Sequence, residues 1–249
     1  LPETYDGRIK HDVIYLNNVD DWLHSDSSAE AQISVLSQAR KVAQKEATLR
    51  PFIGVSIQVE KENEWAYFLP EKIHQVLEDS IQWALNGYAL RDGRKAGHYA
   101  SDAYLRFIVH ELKPFIDSMY LTFPQREHTL MAGRREGALV SAYALCEYPQ
   151  YFGSALCISP YLAPELFADS LGLNSFYLEY WRARLPAPES HRLFFALKDS
   201  SDEAFAEYQY QFDSTLNAHE YGPRNWKTVG GDGEIHLLKS GLLFLFRQE

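Results

Sequence analysis

The sequence predicts an α/β fold built on a mostly parallel central sheet with helices on both faces. Three observations predict it. Short, nearly uninterrupted apolar runs, such as Asp-Val-Ile-Tyr-Leu at 12–16, suit strands buried on both faces. They alternate with longer segments whose apolar residues recur every three or four positions, as strand–helix–strand units require. Between 129 and 147 an apolar run stops at Gly133, a second glycine follows at Gly137, and an Ala-rich segment continues to Glu147. That order reads as strand, sharp turn and buried helix.

In chain order, the first strand covers 12–16 after a polar turn at Asp6-Gly7, and Asn17, Asn18, Asp20 and Asp21 form the loop behind it. Ser27 or Ser28 caps a helix with Glu30 in its first turn, and Ile33, Leu36, Ala39, Ala43 and Ala47 recur near helical spacing until Pro51. Residues 52–59 form the next strand. Ile73, Val76, Leu77, Ile81, Ala84 and Leu85 mark one face of an amphipathic helix, which packs at the edge of the domain or presents a partner interface. Tyr104, Phe107, Ile108, Leu112, Phe115 and Ile116 mark another helix, with Pro114 as a kink point. Beyond the turn at Gly133, strands are expected at 152–158, 193–197 and 224–229, and helices at 200–216 and 237–246. An aromatic-rich insertion at about 162–190, with Phe176, Tyr177, Tyr180 and Trp181, is placed to lie over a pocket as a cap.

Composition bounds the function. The chain has 249 residues with no Pro/Gly/Ser-rich linker or internal repeat, which implies one domain over 1–249. Apolar residues make up 46% and aromatics 14%, too much for disorder, and no apolar run approaches the roughly 18 residues of a membrane helix. A formal net charge of -10 argues against nucleic acid, whose binders concentrate Lys and Arg on one face. Cys146 and Cys157 read as buried small hydrophobes, which favours a reducing, cytoplasmic setting. The chain starts at Leu1 with no signal-like segment, as expected of a processed product or a fragment. No histidine pairs at i, i+4 with a third ligand, so neither a metal nor a cofactor is expected.

The turn at 133–137 has the frame of a nucleophile elbow. In the pattern G-x-S-x-G a serine sits on a strained strand-to-helix turn, and small flanking residues let strand and helix approach. Here both glycines are present and the centre is Arg135. A guanidinium stays protonated and has no lone pair with which to attack a carbonyl.

Together with Leu1-Pro2, Tyr5-Asp6-Gly7, Val13-Ile14-Tyr15-Leu16, residues 64–70, Phe107 with Glu111-Leu112-Lys113-Pro114-Phe115-Ile116-Asp117, Arg126-Glu127-His128-Thr129 and the closing Val229-Gly230-Gly231-Asp232-Gly233, this elbow resembles the esterase D and enterochelin-esterase-like branch of the α/β hydrolases. The resemblance implies an α/β-hydrolase fold and a serine, a histidine and an acid in chain order, for ester or thioester hydrolysis or acyl transfer. Carried over by position, the serine falls on Arg135, the histidine on Gly233, and the acid on Asp199, whose segment 199–203 also reads as a helix start with Ser200 and Glu203 as a capping box. One oxyanion donor would be the N–H of Glu136, and the other would come from near Asn17 and Asn18. Losing one triad member costs on the order of 10⁴ to 10⁶ in turnover, so ordinary serine-esterase chemistry should be near background.

Other groups fill the gap poorly. His236 lies one helical turn past Gly233, Ser141 sits in the helix after the elbow, Ser159 precedes a proline, and none has a visible catalytic partner. Arg134 and Arg135 at a helix amino terminus suit an anion, which gives a candidate site for an anionic small molecule formed by Arg134, Arg135, Glu136, Asn17 and Asn18. The competing reading is that Arg135 merely neutralises Glu136, Asp199 or Asp232. A carboxylester or acyl hydrolase using a noncanonical group, and a scaffold acting as a homo-oligomer or through a protein partner on the 73–85 helix, are the alternatives.

Overall fold

Along the first strand, β1 (Asp12–Asn17), Val13 and Tyr15 enter one apolar cluster while Ile14 and Leu16 enter another. Successive side chains of a strand leave opposite faces, so a run with no polar alternation requires a core on each side. The computed structural model describes residues 1–2, 5–18, 37, 41, 44–45, 49–160, 173–198, 203–231 and 233–246.

Five further strands complete the sheet, β2 (Phe52–Ile57), β3 (Thr129–Arg134), β4 (Ser154–Ile158), β5 (Arg192–Lys198) and β6 (Trp226–Gly231); β3 and β4 are buried almost throughout like β1, while the edge strands β2 and β6 are partly exposed. The sheet order is β2-β1-β3-β4-β5-β6, and every neighbouring pair is parallel. The strand expected at 224–229 is shifted to end at Gly231, and that expected at 152–158 begins at Ser154.

The helices are α1 (Glu64–Phe68), α2 (Glu71–His74), α3 (Asp79–Arg91), α4 (Ser101–Phe107), α5 (Lys113–Met119), α6 (Glu136–Glu147), α7 (Leu173–Arg184), α8 (Glu203–Ala218) and α9 (Glu234–Leu245). The larger core joins Met131, Ala155, Cys157 and Phe195 of the sheet to residues of α1 through α8, including Leu85, Leu105, Tyr143, Trp181 and Phe212. On the other face, Leu237, Leu238, Leu242 and Leu245 of α9 cover Leu130, Leu156 and Phe194, and Phe246 stacks on Phe52 at 5.0 Å. Helices therefore lie on both faces. The helix expected from Ser27 or Ser28 falls largely outside the described residues, of which Ser37, Lys41, Gln44 and Lys45 are helical.

Two helical expectations are corrected. The single amphipathic helix over 73–85 is instead α2 and α3, separated by a turn ending at the extended residue Glu78, and Val76 in that turn is 66% exposed. The helix marked from Tyr104 to Ile116 does run through 101–119, but residues Ile108–Leu112 form a π-turn just ahead of Pro114. Proline lacks an N–H and crowds the preceding turn, so a wider turn before it accommodates the ring. Of the proposed cap, residues 162–172 lie outside the described residues. In the remainder, Leu173, Tyr177, Leu178 and Trp181 of α7 are buried in the larger core.

Candidate active site

The elbow forms as the glycine spacing requires. An added Cβ on Gly133 would fall on the carbonyl of Gly137, deep inside van der Waals contact, and one on Gly137 would lie 2.9 Å from the Asn17 carbonyl oxygen. Strand β3, helix α6 and the end of β1 can meet only where both positions lack side chains. Between them Arg135 adopts φ 54 and ψ -122, outside the regions open to L-residues without strain. Its N–H donates to the Ile158 carbonyl at 3.0 Å, and its own carbonyl accepts from Ala138 and Leu139 at 3.0 and 3.2 Å. Thus β4 on one side and the first turn of α6 on the other hold the strained residue. The Arg135 side chain is exposed, and Arg134 is half-buried.

Asn17 and Asn18 sit at the carboxyl end of β1, but their side chains face inward. Asn17 Nδ2 donates to the Ala132 carbonyl at 3.3 Å and to Ser141 Oγ at 3.0 Å, while its Oδ1 accepts from the Tyr104 hydroxyl at 2.5 Å. Ser141 in turn donates to the Gly137 carbonyl at 2.7 Å, so Asn17 and Ser141 brace the elbow from below. Asn18 donates from Nδ2 to Glu64 and accepts the Val59 N–H at 3.0 Å, and its backbone N–H goes to the Ile57 carbonyl. Both side chains are engaged in structure.

Glu136, next to the elbow, is matched by a cation that sequence reasoning missed. Arg94 Nη1 lies 3.2 Å from Glu136 Oε1 and 3.0 Å from Glu64 Oε2, and its Nε donates to Asp92 at 2.7 Å. The guanidinium is 8% exposed and sits over the Trp65 ring at 5.3 Å; Trp65 stacks on Tyr88 and donates its indole N–H to Glu136 at 3.2 Å. The Arg94 hydrogen bond, chiefly, holds the Asp92 carboxyl below its usual range, helped by the charges of Arg94, Lys61 and Arg135. Asp92 thus feels the charge of Arg135, while Glu136 pairs with Arg94. The only sequence signal for this network was the Glu64-Trp65 pair inside the family-like segment; Arg94 has no periodicity or motif to mark it.

Gly233 is exposed at φ 105 and precedes the first turn of α9, where His236 donates its backbone N–H to the Gly233 carbonyl at 3.1 Å and keeps an exposed side chain. Asp199 and Asp232 lie outside the described residues. His128 is structural, its Nδ1 2.5 Å from Asp12 Oδ1 and its ring stacked on Phe123, and both cysteines are free and buried. At the elbow the residues present a permanent cation above helix N–H groups, with no hydroxyl or thiol at the turn's centre.

The family model described as "Putative esterase" matches residues 59–230. Among solved structures, the enterobactin esterase FES from Shigella flexneri superposes with a TM-score of 0.65 at 16% identity, over 94% of this chain and 52% of that one. The BES protein from Bacillus cereus gives 0.64 at 16% identity, over 99% of this chain and 87% of that one. An uncharacterized Bacillus subtilis (strain 168) protein, YjcH, is 42% identical over 60 residues, 24% of this chain and 25% of YjcH. The chain thus spans about half the length of the enterobactin esterase, and the YjcH match a quarter of that relative. The structural likeness is one of fold.

Proposed function

This chain belongs to the Putative esterase family, and from that premise we propose that it is a non-hydrolytic member whose elbow binds a small carboxylate. The observation that carries the reading is Arg135, exposed at φ 54 and ψ -122 in the slot that holds the serine in an active elbow. A guanidinium there cannot attack an ester, but it can grip a carboxylate bidentately beside the cationic end of α6. Pairing of Glu136 with Arg94 supports this, because it offsets the carboxylate next to Arg135 in the chain, which would otherwise repel a bound anion. The N–H of Glu136 then donates to the bound carboxylate with less repulsion from the Glu136 side chain.

Purified protein is assayed on 4-nitrophenyl acetate and titrated with succinate and benzoate while its melting is followed. The expected result is turnover at the buffer rate and a carboxylate-dependent rise in Tm that Arg135→Gln abolishes. An equal rise in Arg135→Gln removes the binding reading. Turnover that persists in Arg135→Ala supports a hydrolase with a different catalytic group.

A second reading is favoured by Trp83 and Leu90, seven residues apart on α3 and 80% and 67% exposed, with Val76 in the turn before them. Such a face suits a second copy of the chain, and sizing of Trp83→Arg beside the wild type tests it.

A further inference from the structure

A cavity of about 620 Å³ opens at the amino-terminal ends of β3, β4 and β5, lined among others by His128, Ser154, His191 and Arg192. It lies at the opposite end of the sheet from Arg135, about 20 Å away for a six-residue strand at roughly 3.3 Å per residue. Its volume is within the range of small-molecule sites, about 300 to 1,000 Å³.

The wall is cationic in a chain whose formal net charge is -10. Arg50, Arg192 and Arg224 all line it, brought together from the residues before β2, the start of β5 and the turn before β6. The opposing acids are partly matched already. Glu127 pairs with Arg126 at 2.9 Å, and the buried Asp12 is shared between Arg50 at 3.1 Å and His128 at 2.5 Å, leaving Glu189. The Nε of Arg50 is buried without a hydrogen-bond partner, and Arg224 is exposed and forms no ion pair among the described residues. The wall is also built and fixed: His191 is 3% exposed and its two ring nitrogens lie 2.9 Å from the carbonyls of Ala187 and Pro149, which ties the 187–191 turn to the end of α6.

We propose that this cavity binds a small molecule through a phosphoryl group, held by Arg192 and Arg224 with Arg50 behind them and the hydroxyls of Ser154 and Ser190 at its rim. Guanidinium forks match phosphoryl oxygens bidentately, and several of them on one wall suit a multiply charged head group over a single carboxylate. The site is independent of the elbow, and its test separates the two.

Calorimetric titration with pyrophosphate, and with citrate at matched ionic strength, is run on the wild type, Arg224→Gln, Arg192→Gln and Arg135→Gln, each checked for an unchanged circular-dichroism melt. Expected are one pyrophosphate per chain, at least tenfold weaker binding in Arg224→Gln and Arg192→Gln, wild-type binding in Arg135→Gln, and weaker binding of citrate. Absence of pyrophosphate binding, or binding lost in Arg135→Gln and retained in both cavity variants, overturns the proposal. Tighter binding of citrate overturns the phosphoryl assignment.

Discussion

The Arg94 guanidinium stands 3.2 Å from the Glu136 carboxylate, tying the loop after α3 to the first turn of the elbow helix. The same group reaches Glu64 and Asp92, so one buried cation serves three acids. Breaking a buried pair by removing one partner costs about 3–5 kcal/mol, because the stranded charge has lost its water without compensation. Arg94→Ala is therefore expected to lower stability by about 3 kcal/mol, read as a fall in the urea midpoint. Arg94→Lys recovers only part of it, since an ammonium is a point charge and cannot span three carboxylates as the planar fork does. A loss under 1 kcal/mol would mean that water already screens the cluster.

Gly133→Ala meets backbone, not a movable side chain. Its Cβ would overlap the Gly137 carbonyl, and neither β3 nor α6 can retreat, because Asn17 and Ser141 brace the same turn. Overpacking a tight core costs typically 1–3 kcal/mol and more where backbone must move. The variant is expected to lose at least about 3 kcal/mol or to be recovered only in inclusion bodies; a soluble variant with the wild-type melt contradicts this.

Arg135→Gly tests the strain directly. A non-glycine residue at a sparsely populated φ/ψ costs about 1–3 kcal/mol, and the added freedom of glycine in the unfolded chain returns roughly 0.5–1 kcal/mol of that. The net expectation is a gain of about 1 kcal/mol, a rise in Tm of about 2–4 °C for a chain of this size. Arg135→Ala keeps the strain and should not show the gain. A position that lowers stability in this way is one where the backbone geometry belongs to the site and not to the core.

How far the sequence discloses this molecule depends on where the determining contacts lie along the chain. The central strands are legible because both faces of the sheet are buried there, so 13–16 and 130–132 are apolar throughout, and Gly133 and Gly137 mark a close approach between neighbours in sequence. Val76 misleads for the converse reason: it has the period of a core residue, yet the chain turns at Glu78 and leaves it in solvent. The Arg94 network joins residues 18, 64, 92–94 and 136, and no local pattern encodes a contact between segments so far apart. The arginine-lined cavity is hidden likewise, since its three guanidiniums come from the starts of separate strands.

His74 sets a pH dependence of stability. It is 2% exposed, its Nε2 is 3.0 Å from the Tyr177 hydroxyl, its ring lies 4.1 Å from that of Tyr99, and its Nδ1 has no partner. A proton on Nδ1 would have no acceptor, and burial pushes the pKa down to about 3. In the unfolded chain the ring has its ordinary value of about 6.5. Between those values the unfolded state binds a proton that the folded state does not, so stability is fully present above about pH 6.5. It falls as pH drops towards 3, by at most about 1.4 kcal/mol per unit. At pH 4.5 this amounts to about 2–3 kcal/mol. His74→Gln keeps a hydrogen-bonding group beside Tyr177 and removes the titration, while the carboxylates titrate alike in both proteins. Urea unfolding at pH 7.0, 5.5 and 4.5 should therefore show the wild type losing stability faster than His74→Gln by that margin. A difference between the two that is constant across the three pH values would mean that the buried ring does not resist protonation.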